Sequence, residues 1–105
     1  MKKLAAAAAL LALLVLCHEA GRDEIEGCGG GPHPIPPLRD LVDLHERVSL
    51  PARRAKVVAV ALNTRRLNDA AARAAIAAAE AETGLPADDP VRFGAARLVD
   101  AVIEG

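Results

Sequence analysis

The sequence predicts an α/β fold in which a small parallel sheet is flanked by helices, giving three layers. Two short and continuous apolar runs, 13–17 and 57–62, have the composition of strands that are buried on both faces. Elsewhere, apolar residues recur with the helical period. Elements that alternate as strand, helix, strand, helix, strand, helix favour right-handed crossovers around a parallel sheet.

Composition limits both the size of the core and the kind of partner. Apolar residues make up 52% of the 105 residues, many of them alanine, so each buried side chain contributes little apolar area. A chain of this length fits one domain and buries a modest share of its surface. We therefore expect it to need a further domain or an oligomer. The net charge of −1 argues against a dedicated nucleic-acid surface.

The N-terminal segment allows two interpretations. A basic start followed by the apolar run 4–16 is typical of a secretory signal, with Cys17 as a lipoprotein acceptor. This run is shorter than the roughly 20 residues that span a bilayer, so no membrane association is expected otherwise. The interpretation we favour is a cytoplasmic chain with an Ala- and Leu-rich helix over 4–11 and a buried strand over 13–17.

A long loop and an amphipathic helix come next. Glycine and proline punctuate residues 18–37, which predicts a loop. A helix is predicted from Leu38, with Pro37 in its first turn. Its predicted buried face carries His45, which we interpret as a half-buried histidine and not as a ligand. The apolar face as a whole comprises Leu38, Leu41, Val42, His45 and Val48.

The second half of the chain repeats the pattern of strand and helix. The run 57–62 predicts a central parallel strand, and Asn68 is placed to cap a helix over 69–83 that ends at Gly84. The buried face of this helix is nearly all alanine, with Ile76 as its one large side chain. A short edge strand is predicted over 85–87. A last helix should turn inward Ala95, Leu98, Val99, Val102 and Ile103.

Polar clusters follow each predicted strand, at 18–22, 63–66 and 88–92. The carboxyl ends of parallel strands meet at one edge of a sheet, which is where open α/β sheets bind ligands. The arginines in these clusters offer forked donors to a phosphate or a carboxylate. We therefore expect a small anionic ligand, although Asn and Asp beside helices often serve only as caps or turns.

Seven residues of these clusters are the candidate site. His18 is the catalytic candidate, because an imidazole transfers protons near neutral pH. The candidates for binding substrate or phosphate are Gly21, Arg22, Asn63, Thr64, Asp89 and Arg92. No metal is expected, since the cysteines and histidines do not have the paired short spacings of a zinc site.

Five blocks of the sequence, in a fixed order, carry a family resemblance: 14–22, 32–36, 60–64, 84–86 and 89–94. They resemble the C-terminal part of the D-glutamate N-acetyltransferase-like family, which has a P-loop fold and was long of unknown function. The resemblance implies that residues 13–105 are the C-terminal portion of a P-loop-type α/β domain. Residues 1–12 do not match and are a leader or an unmatched start.

The resemblance also implies a function, acetyl transfer from acetyl-CoA to an amino acid, with acetyl-CoA or a nucleotide as the cofactor. The sequence contains no Gly-x-x-x-x-Gly-Lys-Ser/Thr phosphate-binding loop. We therefore expect a partial P-loop-NTPase-like domain, a fragment that is inactive alone. Two alternatives stay open: an interaction module that completes the sheet of a partner, and an exported lipoprotein.

Overall fold

The computed structural model describes residues 11–23, 33–49 and 54–105. The described elements alternate between strand and helix, as the sequence predicts. They are β1 (Leu11–Glu19), α1 (Leu38–Ser49), β2 (Arg54–Asn63), α2 (Asp69–Thr83), β3 (Ala87–Asp88) and α3 (Ala96–Glu104).

The three strands form one parallel sheet in the order β1-β2-β3, which confirms the predicted α/β class. The prediction that both faces of β1 are buried is wrong: Leu16 lies in the core on one face, but Leu13 and Val15 are 39% and 36% exposed on the other, where α3 packs on β2 and β3. β1 is also longer than the predicted run 13–17. It includes Leu11, which was expected to end a helix, while residues 4–10 lie outside the described part of the chain. β3 starts later than the predicted 85–87, because Pro86 contributes only its carbonyl oxygen, which accepts from the N–H of Val60 at 2.9 Å.

A bulge interrupts the pairing of β1 with β2. Leu14 pairs with Val57 and Val15 pairs with Ala59, so Val58 is an extra residue on β2. As a result Val57 and Val60 belong to the core on one face of the sheet, whereas Val58 and Ala59 belong to the core on the other. Beside the bulge, the N–H of Val57 donates to Glu46 of α1 at 2.8 Å.

Helices cover the sheet on both sides. On one face α1 and α2 pack over a core that includes Leu16, Val60 and Ile76, with Leu38, Leu41, Val42 and Phe93 at its margin. On the other face α3 packs through Leu98 and Ala101 against Val58 and Ala59. The arrangement is helix, sheet, helix, in agreement with the predicted three layers.

α2 forms as the sequence predicts. Oδ1 of Asn68 accepts from the N–H of Ala71 at 2.8 Å, and Gly84 ends the helix at a φ of 71°, which only glycine adopts without strain. The buried positions are Ala72, Ile76 and Ala79. Small side chains let this helix approach the sheet closely.

The predicted buried faces of α1 and α3 are only partly right. In α1 the first half packs on the core through Leu38, Leu41 and Val42, but His45 is exposed and Val48 is 68% exposed. The Nδ1 atom of His45 instead lies 2.7 Å from the carbonyl oxygen of Leu41. In α3 the buried residues are Leu98 and Ala101. The remaining residues of its predicted inward face are exposed or half exposed: Ala95, Val99, Val102 and Ile103.

The α3 discrepancy has a simple cause. Leu98 and Ala101, three residues apart, are enough to fill the narrow strip that β2 and β3 offer on this face. The other apolar residues of α3 then have no sheet beneath them. Within the described residues, none of the helices has the length and apolar character that crossing a membrane requires.

Candidate functional site

The three polar strand ends do converge, as the topology requires. A pocket of about 670 Å³ opens at the carboxyl edge of the sheet. All three strand ends contribute to its wall: Cys17 and His18 from β1, Ala61, Leu62, Asn63 and Arg65 from β2 and the turn after it, and Asp89, Pro90, Val91 and Arg92 from the segment after β3.

The structure brings four of the seven candidate residues together in this pocket. They are His18, Asn63, Asp89 and Arg92. The other three lie beside it and have visible local contacts. Gly21 turns the chain after β1 at a φ of 87°, Arg22 pairs with Glu19, and Thr64 is fully buried.

Asp89 is a buried carboxylate that ties two loops together. It is 3% exposed. Its Oδ2 atom accepts from the backbone N–H of Thr64 at 3.0 Å and also from the Thr64 hydroxyl. Its Oδ1 atom accepts from the N–H groups of Val91 and Arg92 at 3.0 and 3.1 Å. The turn after β2 is thereby fastened to the turn after β3.

The ionisation of Asp89 follows from these contacts. Burial acts to raise the pKa of this carboxyl, because it disfavours the charged form. The hydrogen bonds from Thr64, Arg92 and Val91 together outweigh burial and hold the pKa of Asp89 below its usual 3.8. Asp89 is therefore charged at neutral pH.

Arg92 braces the same loops from outside. Its Nη1 atom pairs with Asp69 at 2.7 Å, and its Nη2 atom donates to the carbonyl oxygens of Thr64 and Leu67 at 2.9 and 2.6 Å. The side chain is 22% exposed. Much of its donor capacity thus goes to protein groups.

His18 is the titratable group of the pocket that is suited to proton transfer. Burial lowers the pKa of its imidazole from 6.5, and Arg22 acts in the same direction. The charges of Glu82 and Glu19 oppose this but do not outweigh it. His18 is therefore neutral near pH 7, and a neutral imidazole can accept a proton.

Glu19 and Arg65 were not among the candidate residues. The Glu19 side chain is 11% exposed and forms ion pairs with two guanidiniums. Its Oε1 atom lies 3.2 Å from Nη2 of Arg65. Its Oε2 atom lies 3.1 Å from Nε of Arg22, but this second contact does not have the alignment of a hydrogen bond. The signal that could have identified both is their position within the polar clusters 18–22 and 63–66.

The described His, Cys, Asp and Glu side chains do not form a metal site. Among residues 11–23, 33–49 and 54–105, no cluster of three or more His, Cys, Asp or Glu side chains is placed to hold an ion. The described thiol, Cys17, is free and exposed on β1. Cleavage before Cys17, as the lipoprotein alternative requires, would remove most of this strand, including the buried Leu16.

The fold and the pocket define the class, which is that of open-sheet α/β proteins whose ligands bind beyond the carboxyl ends of the strands. Within that class the chain belongs to the DUF1611 family, since the family model described as "Domain of unknown function (DUF1611_C) P-loop domain" matches residues 6–99. The predicted family and P-loop-type fold are thereby confirmed.

Two relatives are similar over nearly the whole chain. A D-glutamate N-acetyltransferase from Tritonibacter scottomollicae is 42% identical over 94 residues, which cover 85% of this chain and 26% of that protein. The crystal structure of a DUF1611 family protein from Anabaena variabilis ATCC 29413 matches with a TM-score of 0.80 at 46% identity, over 90% of this chain and 28% of that one. The chain thus spans about a quarter of the length of these relatives.

Proposed function

We propose that this chain is the part of a D-glutamate N-acetyltransferase-like enzyme that holds an anionic substrate group beside a general base. The observation that supports this most directly is the pocket at the carboxyl edge, where His18 and Arg65 line the same wall. Similarity to a protein named D-glutamate N-acetyltransferase suggests the reaction. The substrates that the family resemblance implies, acetyl-CoA and D-glutamate, both carry anionic groups.

Acetyl transfer to an amine needs a proton acceptor near the amine nitrogen. In acetyl transfer, the amine nitrogen attacks the thioester carbonyl, a C–N bond forms and the C–S bond breaks. The amine loses one proton, and the departing thiolate gains one. We propose that the neutral imidazole of His18 accepts the amine proton, and that pocket residues hold the anionic groups of the substrate.

Acetyl-CoA suits these residues better than a nucleotide held by a P-loop. The sequence lacks the Gly-Lys-Ser/Thr end of such a loop. Lys56, the lysine within the described residues, lies near the start of β2, at the far end of the strand from the pocket. We therefore propose acetyl-CoA as the cofactor and, with it, a cytoplasmic location.

The first prediction concerns binding by the 105-residue chain. We expect acetyl-CoA to bind with a Kd on the order of 1 mM, and we expect no acetylation of D-glutamate, because the chain spans only a quarter of its relatives' length. Chemical-shift titration of the His18 ring measures the binding. Acetyl-pantetheine, which lacks the phosphates, is the control ligand and should bind at least fivefold more weakly. Turnover by the purified chain would contradict the expected inactivity, and an unperturbed His18 ring would contradict the site.

A second candidate function, sheet completion, is favoured by the difference between the two sheet edges. At β3 the outward-facing N–H of Ala87 donates to Glu80 at 3.1 Å, and its carbonyl oxygen accepts from Arg97 at 2.9 Å. Glu80 and Arg97 also pair with each other. Side chains therefore block this edge against another strand.

The β1 edge lacks such a block among the described residues. Within residues 11–23, 33–49 and 54–105, β1 pairs on one side only, with β2. Its Leu13 and Val15 are 39% and 36% exposed on the face away from α1. A strand of nine residues that is mostly apolar and has one edge open is a template for a further strand. We propose that β1 accepts a strand from the part of the fold that this chain does not span.

The second prediction follows from this open edge. In the absence of another strand, we expect two copies of the purified chain to pair through β1 and to sediment as a concentration-dependent oligomer. Val15→Lys should shift the equilibrium to monomer, because it places a charge on the strand face that would be covered. Val48→Lys, the same change on the exposed end of α1, is the matched control and should leave association unchanged. A wild-type chain that stays monomeric at all concentrations would contradict sheet completion.

A further inference from the structure

We propose that Arg65, positioned by Glu19, is the guanidinium that binds the anionic group of the ligand in the carboxyl-edge pocket. The inference deepens the proposed function and rests on it, because that function supplies the anion. It differs from the sequence prediction, in which Arg22 and Arg92 are the arginines of the site.

Availability separates Arg65 from Arg92. The donors of Arg92 reach Asp69 and two backbone carbonyl groups, and its side chain is 22% exposed. The Arg65 side chain is 66% exposed and lines the pocket. Its ion pair within the described residues is with Glu19, through Nη2. A guanidinium has five N–H donors, so most of the fork remains open to a phosphate or a carboxylate.

Two contacts hold Arg65 at the pocket. Its backbone N–H donates to Oδ1 of Asn63 at 3.1 Å, which fixes the start of the turn after β2. Its guanidinium is then drawn toward Glu19, on the neighbouring strand, at 3.2 Å. An arginine that is held in place loses less conformational entropy when it binds a ligand.

The charges of this cluster favour an anion. The Glu19 side chain is only 11% exposed. Removing a charged carboxylate from water costs free energy unless the charge is paired. Glu19 pairs with both Arg22 and Arg65, so the three side chains together leave one positive charge in excess. An incoming anion near Arg65 offsets that excess. Glu19 therefore acts as a positioning residue, through the arginine and without touching the ligand.

The test compares two neighbouring arginines in the full 105-residue chain. Arg65→Gln should weaken the binding of acetyl-CoA or of D-glutamate, whichever supplies the anion, at least about tenfold. Arg66→Gln, an exposed neighbour outside the pocket wall, should change either affinity less than twofold. Affinity is measured by titration calorimetry at low salt, and circular dichroism checks that both variants are folded. Equal losses in the two variants, or an Arg65→Gln variant that keeps the wild-type affinity for both acetyl-CoA and D-glutamate, would overturn the assignment.

A second pair of titrations identifies the anion. If Arg65 binds a phosphate of acetyl-CoA, Arg65→Gln should leave acetyl-pantetheine binding unchanged. If it binds a carboxylate, the variant should lose D-glutamate affinity instead. Should the wild-type chain bind neither acetyl-CoA nor D-glutamate, the proposed function fails as well. If the wild-type chain binds these ligands and Arg65→Gln binds them with the same affinity, only the role of Arg65 is contradicted.

The role of Glu19 has its own spectroscopic signature. In the wild type we expect the Nε–H resonance of Arg65 to be sharp and slow to exchange, because the guanidinium is held. Glu19→Gln should broaden that resonance and weaken acetyl-CoA binding. Glu19→Asp, which keeps the charge, should restore part of both. If the Arg65 resonance is unchanged in Glu19→Gln, then Glu19 does not position it.

Discussion

Asp89→Ala should lower the free energy of unfolding by about 3–4 kcal/mol, as judged from typical costs of unpaired buried donors. The side chain accepts four hydrogen bonds at 3% exposure. Its removal leaves N–H groups of both loops without their acceptor. Small domains have little stability to lose, so urea unfolding followed by circular dichroism should show a clear shift of the midpoint.

Two further variants test whether the loss has this origin. Thr64→Val, which removes only the hydroxyl donor, should cost about 1 kcal/mol. Asp100→Ala, at an exposed position of α3, should cost less than about 0.5 kcal/mol. The pH dependence gives an independent check. Because the folded-state pKa of Asp89 is lowered, its stabilisation is present above pH 3.8 and is lost as the pH falls further. The difference between wild type and Asp89→Ala should therefore shrink in acid, and a constant difference would contradict this account.

Arg92→Ala should cost about 2–3 kcal/mol of unfolding free energy, since hydrogen bonds to a charged donor are stronger than neutral ones. The substitution removes the ion pair with Asp69 and leaves the carbonyl oxygens of Thr64 and Leu67 without this donor. Arg92→Lys should recover less than half of the loss, because an ammonium cannot serve three separated acceptors with the geometry of a fork. Chemical denaturation measures both variants, with Arg66→Ala as the exposed control.

Arg92 is also a predicted ligand-binding residue, and the same variant distinguishes the two roles. The structural role predicts a lower unfolding midpoint and an acetyl-CoA affinity that changes less than about twofold while the protein is folded. A variant with the wild-type midpoint and a much weaker affinity would instead support the ligand role.

The central strand β2 could be predicted from sequence because it is buried on both faces, whereas β1 has an equally apolar sequence although Leu13 and Val15 are exposed on one of its faces. Buried parallel strands consist of unbroken apolar residues, so the run 57–62 by itself predicts a central strand. α2 was equally well defined, because its cap residues Asn68 and Gly84 act locally. The inward face of α3 was not, because it depends on how wide a strip of sheet lies beneath the helix, which is a property of the assembled layers.

The pocket could be located but not resolved into roles. Parallel strands bring their carboxyl ends together, so convergence of His18, Asn63, Asp89 and Arg92 follows from topology. The sequence does not indicate which arginine donates its hydrogen bonds to protein groups. That depends on how loops more than twenty residues apart in the chain are placed, as the contacts of Arg92 with Thr64 and Leu67 illustrate. Residue type alone makes Arg65 and Arg92 equivalent.

The extra residue at Val58 determines to which face of the sheet each later side chain of β2 points. Without a bulge, Asn63 would share a face with Val57, beneath α1 and α2; with it, Leu62 takes that side and Asn63 points the other way. Inserting or deleting an odd number of residues between 59 and 62 would move Leu62 to the opposite face of the sheet and Asn63 to the core face, although neither residue is itself substituted. Alignments of this strand among relatives should therefore be anchored separately on each side of position 58.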